Sequence, residues 1–113
     1  MQETTIQFRN ERAIVRRILR DLLSAGYSVK LTDDHETSEP IKNPKEGIEF
    51  AMWDDKDGGR KLWNLEEFHI VAERDGRIGT IWIITDNGDE CLDMIADYSV
   101  SLRHIVEPIM ASI

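Results

Sequence analysis

Two dipeptides, Asp75-Gly76 and Asn87-Gly88, constrain this chain more than any other feature. Both tolerate positive φ at two successive positions, as the type I′ turn of a two-residue hairpin loop demands. With Asp75-Gly76 as a loop, Arg74 faces Arg77, Ala72 faces Gly79, Ile70 faces Ile81 and Phe68 faces Ile83. With Asn87-Gly88 as the next, Ile83 faces Leu92, Ile81 faces Met94 and Gly79 faces Ala96. The stretch from Glu66 to Tyr98 therefore reads as a three-stranded antiparallel meander. Side chains alternate across a strand, so Phe68, Ile70, Ala72, Gly79, Ile81, Ile83, Leu92, Met94 and Ala96 share one apolar face. Ala72, Gly79 and Ala96 form a row of small residues where a helix can approach closely. The same registers place Val71, Ile78, Thr80, Trp82, Ile84, Cys91 and Ile95 on the other face, among Glu67, His69, Glu73, Asp93 and Asp97. That second face is half apolar.

With 113 residues, 41% of them hydrophobic and 32% charged, the chain suits one domain, residues 1–113, with a single core. No apolar run approaches the roughly 20 residues of a membrane helix, and no basic-then-apolar signal opens the chain. The lone Cys91 has no internal disulfide partner and suits a reducing compartment, so a cytoplasmic protein without membrane association is expected. A net charge of -8 argues against direct binding of nucleic acid, which needs accumulated Lys and Arg. The charge is uneven: residues 1–25 set five arginines against Glu3, Glu11 and Asp21, a balance of +2, while the other 9 basic and 19 acidic residues give -10.

In chain order, Ile6 and Phe8 alternate briefly, as in a frayed strand or a tail packed on the first helix. Asn10 offers an N-cap acceptor, with Glu11 in the first turn at the positive end of the helix dipole. Ile14, Val15, Ile18, Leu19 and Leu22 follow at helical spacing, and Gly26 supplies a left-handed C′ position. Arg12, Arg16 and Arg20, with Arg17 beside them, make a basic ridge opposite that stripe, either a solvated face or a site for an acidic or phosphate-bearing partner. Tyr27, Val29 and Leu31 alternate with polar residues as a short strand at or next to a sheet edge. A polar loop follows. Asn43-Pro44 then reads as an N-cap and N1 pair opening a short helix to Trp53, despite Gly47, and DDKDGGRK as a charged loop before Trp63 and Leu65 anchor the chain. Ser99 or Ser101 caps a last helix carrying Leu102, Ile105, Val106, Ile109 and Met110. Pro108 implies either a kink there or a short turn followed by a helix with Pro108 near its start.

The chain shows little sign of catalytic or metal chemistry. With Gly58 as the turn glycine of a calcium loop, the first ligand position falls on Trp53 and the bidentate one on Asn64, so the DDKDG run fails as an EF-hand. Asp33, Asp34, His35 and Glu36 read as a solvated loop. Cys91, His35, His69 and His104 lack the paired spacing of a zinc site. No nucleophile elbow, phosphate loop or dinucleotide fingerprint occurs, and no cofactor is expected. In the register above His69 and Asp93 flank Trp82, which makes either a cross-strand packing cluster or an aromatic platform with a polar margin.

The Asn-Glu opening of the first helix, Ala-Gly-Tyr into a strand, the Asp-Gly and Asn-Gly hairpins and the closing Asp93, Ile95, Asp97 and Tyr98 before a proline-containing helix resemble a set of small phage and prophage proteins of unassigned function. Cys91 and Leu92 stand where those proteins carry an aromatic residue. The resemblance spans most of the chain and implies a phage or mobile-element setting, without catalytic residues.

The expected fold is α+β: a two-layer sandwich with an antiparallel sheet of about four strands and the N- and C-terminal helices on its Phe68/Ile81/Met94 face. The expected function is a non-catalytic protein-interaction module, a phage accessory factor or inhibitor acting on a host protein. The alternative is a small-molecule binder or enzyme using the Trp82 face. Because both long helices are needed on one face, the other, with Val71, Ile78, Trp82, Ile84 and Ile95 and with His69 and Asp93 at its margin, is expected to meet a second copy or a host partner, the alternative being that the Pro44–Trp53 helix and the residue 54–65 loop fold over it.

Overall fold

The first helix begins well before the cap that Asn10 suggests. The computed structural model describes residues 2–33, 36–55, 60–63, 67–84 and 95–111. In it α1 runs Gln2–Ser24 without interruption, so Asn10 is interior, and Ile6 and Phe8 are helical rather than a frayed strand. Residues 2–9 contain neither Gly nor Pro, and nothing in them stops the helix from extending backward. Val15, Ile18, Leu19 and Leu22 are fully buried, each contributing on the order of 1.5–3 kcal/mol through removal from water. Glu11, one turn before Val15, lies on this same stripe and is 4% exposed, so it is a buried carboxylate rather than a first-turn residue. The helix ends in a Schellman motif. Tyr27 N donates to Leu22 O at 3.1 Å and Gly26 N to Leu23 O at 3.1 Å, with Gly26 at φ 89°.

Strand β1 (Ser28–Thr32) buries Val29 and Leu31 and exposes Ser28 and Lys30. It is an edge strand, and the following segment caps that edge: Ser38 N donates to Leu31 O at 2.7 Å, Leu31 N to Ser38 Oγ at 2.9 Å and Ile41 N to Val29 O at 2.9 Å. Helix α2 (Pro44–Ala51) begins as its sequence indicates, with Glu46 N donating to Asn43 Oδ1 at 3.1 Å while the Glu46 carboxylate accepts from Lys42 N at 2.6 Å. It stops two residues short of Trp53. The stretch read as a charged loop instead pairs β2 (Met52–Asp55) with β3 (Arg60–Trp63) in a separate two-stranded antiparallel sheet. Leu65, Asp34, His35, Asp57, Gly58, the Asn87-Gly88 pair, Cys91, Leu92, Asp93 and Met94 lie outside the described residues.

The main sheet is antiparallel, four-stranded and open, in the order β1, β4 (Glu67–Arg74), β5 (Arg77–Ile84), β6 (Ile95–Tyr98). Around Asp75-Gly76, with φ of 55° and 78°, the β4–β5 register is the expected one: Phe68 pairs with Ile83, Ile70 with Ile81 and Ala72 with Gly79. The β5–β6 register is not. Ile81 pairs with Tyr98 rather than Met94, Trp82 with Asp97, and Ile83 with Ile95 rather than Leu92, so Ala96 is an extra residue bulged between two pairs. Ser99 holds this register from outside the strand, its N donating to Thr80 O and its Oγ accepting from Thr80 N, both at 2.9 Å. That hydroxyl makes no cap to the 3-10 turn Val100–Leu102 that follows. Helix α3 (Arg103–Ala111) then contains Pro108 in its interior rather than near its start.

Phe68, Ile70, Ala72, Ile81 and Ile83 form one core with the buried faces of α1, α2 and α3, the last through Val106 and Ile109. Of the three small residues, Ala72 and Gly79 pair as foreseen and Gly79 has the foreseen use, whereas Ala96 is bulged out of the row and exposed. A Cβ on Gly79 would sit 2.7 Å from Leu102 Cγ, so the turn leading into α3 is seated directly on the sheet there.

Candidate functional site

The opposite face of the main sheet is built from alternate residues of the same strands, and the pairings order it into rows. Thr32, His69, Trp82 and Asp97 make one row across all four strands. Lys30, Val71 and Thr80 make the next, followed by Ser28, Glu73 and Ile78, while Glu67 pairs with Ile84 at the other end. Whereas Phe68, Ile70, Ile81 and Ile83 are fully buried on the core face, Val71, Trp82, Ile84, His69 and Thr80 are only half-buried here and Ile78 is 64% exposed. Glu67, Glu73, Asp97 and Lys30 are exposed around them.

Trp82 stands at the middle. Its ring stacks on that of His69, its cross-strand neighbour, with centroids 6.0 Å apart and planes 11° from parallel. The stacking links β4 to β5 on this face. The Trp82 Nε1–H is buried and has no acceptor among the described residues, a situation costing on the order of 1–3 kcal/mol for a neutral donor.

Most of the residues expected on this face are there: Trp82, His69, Val71 and Ile84. Ile95 is not. It is 7% exposed and paired with Ile83 on the core face, because β6 is displaced by four residues from the expected register at Ile81 and Trp82 but by three at Ile83, past the Ala96 bulge, and an odd displacement exchanges the faces. Asp93, expected at the polar margin, lies outside the described residues, and Asp97 takes the place beside Trp82. The sequence alone does not place Asp97 there, because its position depends on the Ser99–Thr80 bonds, which no local pattern announces.

The basic ridge is away from this site and is uneven. Arg16 and Arg20 are exposed, whereas Arg12 and Arg17 are half-buried. Arg17 and Arg20 both approach Asp21, at 3.8 and 3.3 Å, which neutralises part of the ridge. Another polar cluster lies on α3. There Arg103 Nε donates to Glu107 Oε1 at 2.6 Å, and the bond and the carboxylate charge hold the guanidinium above its ordinary pKa. Among the described residues no group of three or more His, Cys, Asp or Glu is placed to hold a metal ion, and no helix is long and apolar enough to cross a membrane. No family model matches the sequence, and no curated protein or solved structure matches it significantly.

Proposed function

We propose that this chain is a non-catalytic protein-interaction module whose working surface is the Trp82 face of the main sheet. One observation carries the reading. A Trp stacked on a His is only half-buried in the centre of a sheet face, beside half-buried Val71 and Ile84 and exposed Ile78. Large aromatics surrounded by aliphatic side chains dominate the energetics of protein interfaces. A monomer seldom leaves such a group uncovered.

The setting that the sequence resemblance implies is a phage or prophage accessory factor, or an inhibitor, acting on a host protein. The lone Cys91 fits a reducing compartment and so the cytoplasm. The net charge of -8 makes a protein partner a better match than nucleic acid. Two experiments test the reading. Wild type and Trp82→Ala are sedimented across a concentration series up to high micromolar, and both are used as bait in host lysate with the captured proteins identified by mass spectrometry. The proposal expects self-association or a captured protein that Trp82→Ala loses while keeping its thermal unfolding cooperative. A Trp82→Ala protein that unfolds would make Trp82 a core residue and end the proposal.

A further inference from the structure

We infer that the occupant of the Trp82 face is a cationic amphipathic segment of another protein rather than a second copy of this chain; the inference rests on the reading of that face as an interaction surface. Ile78, Thr80, Trp82 and Ile84 lie on alternate positions of β5 and so form one column along the face. At about 3.3 Å per residue, the six steps from Ile78 to Ile84 span roughly 20 Å. A helix rising ~1.5 Å per residue covers that distance in about 13 residues.

Carboxylates flank the column at three points: Glu73 beside Ile78, Glu67 beside Ile84 and Asp97 beside Trp82. All three are exposed, and among the described residues none has an ion-pair partner. Lys30 is the one cationic side chain among the described residues of this face, so three negative charges stand against one positive. Two such faces brought together would set net negative on net negative, which disfavours a two-fold dimer. A helix with an apolar stripe bordered by Lys or Arg matches both the column and its margin. The long-range attraction of an acidic body for such a segment would also speed encounter.

The test uses defined probes: a 13-residue helical peptide of Leu and Lys, and its counterpart with Glu for Lys, titrated into ¹⁵N-labelled full-length protein and followed by amide shifts and by fluorescence anisotropy of the labelled peptide, the length being the roughly 13 residues set by the helical rise. The Lys peptide should perturb Val71, Trp82 and Ile84, weaken as salt rises, and bind about tenfold or more weaker to the Glu67→Gln/Glu73→Gln/Asp97→Asn protein, in line with the loss of three favourable charge contacts. Neutralising Glu39, Glu49 and Glu107, exposed acids elsewhere, should change affinity less than about twofold. Thermal unfolding of each variant guards against loss of fold. Equal binding of the Glu peptide, shifts centred away from Trp82, no binding of the Lys peptide, or indifference to the triple neutralisation would overturn the inference. Self-association lost in Trp82→Ala would also overturn it, while leaving the Trp82 face an interaction surface.

Discussion

Gly79→Ala isolates the contact that seats the C-terminal segment on the sheet. The added Cβ would lie 2.7 Å from Leu102 Cγ, 2.9 Å from Leu102 Cδ1 and 2.9 Å from Ser101 Oγ, where carbon pairs prefer about 3.5–4.0 Å. Leu102 is fully buried and cannot move away without displacing its neighbours. Overpacking of this kind costs about 1–3 kcal/mol. Against it stands about 0.4–1 kcal/mol from the reduced freedom of the unfolded chain when Gly becomes Ala. The net expectation is a loss of about 1–2 kcal/mol, which in a chain of this length lowers Tm by roughly 5–10 °C. Thermal and urea unfolding of Gly79→Ala, Leu102→Ala and the double variant measure it. Leu102→Ala alone should cost about 2–5 kcal/mol through its cavity. In the double variant the methyl group added at position 79 partly fills that cavity, giving a coupling of ~1 kcal/mol. A Gly79→Ala protein as stable as wild type, or strictly additive losses in the double variant, would refute the packing of Leu102 on Gly79.

Ile95→Ala should destabilise by about 2–5 kcal/mol because Ile95 is buried against the core, whereas Ile78→Ala, at a position 64% exposed, should stay within about 0.5 kcal/mol; urea unfolding of the two separates the faces. Gly76→Ala places a Cβ in open space but at φ 78°, so a loss of about 1–2 kcal/mol should appear as a purely backbone effect, with no shift of core methyl resonances. Arg16→Gln/Arg20→Gln should change stability by less than about 1 kcal/mol, since both side chains are exposed, and circular dichroism with thermal melting checks it.

The first hairpin was legible because its register is fixed locally. Asp75-Gly76 joins β4 to β5 directly, and every pair back to Phe68 and Ile83 follows by alternation. The stacked Trp82 and His69 are read from the same register. The second register was illegible for the converse reason. Ten positions separate Ile84 from Ile95, and the alignment of β6 is held by the Ser99–Thr80 bonds and the Ala96 bulge, contacts between segments rather than within one turn. That is why Ile95 belongs to the core and Asp97 lies beside Trp82. In α1 the apolar stripe from Val15 to Leu22 and the Gly26 ending were visible, but the start was not, since Asn is accepted inside a helix as well as at its cap. Gly47, unfavourable for a helix on propensity alone, is explained only by packing: a Cβ there would meet Leu19 Cδ1 at 2.6 Å, so its absence lets α2 lie close on α1.

The claim that the Trp82 face is where this chain meets another molecule is tested most directly by the indole N–H resonance of Trp82. In ¹⁵N-labelled protein, followed alone across a concentration series and then with added host lysate, that resonance should shift or broaden on association together with the amides of Val71 and Ile84, while those of Val15 and Leu19 in α1 stay in place. Association that perturbs Arg16 and Arg20 and leaves the Trp82 indole unmoved would contradict the account.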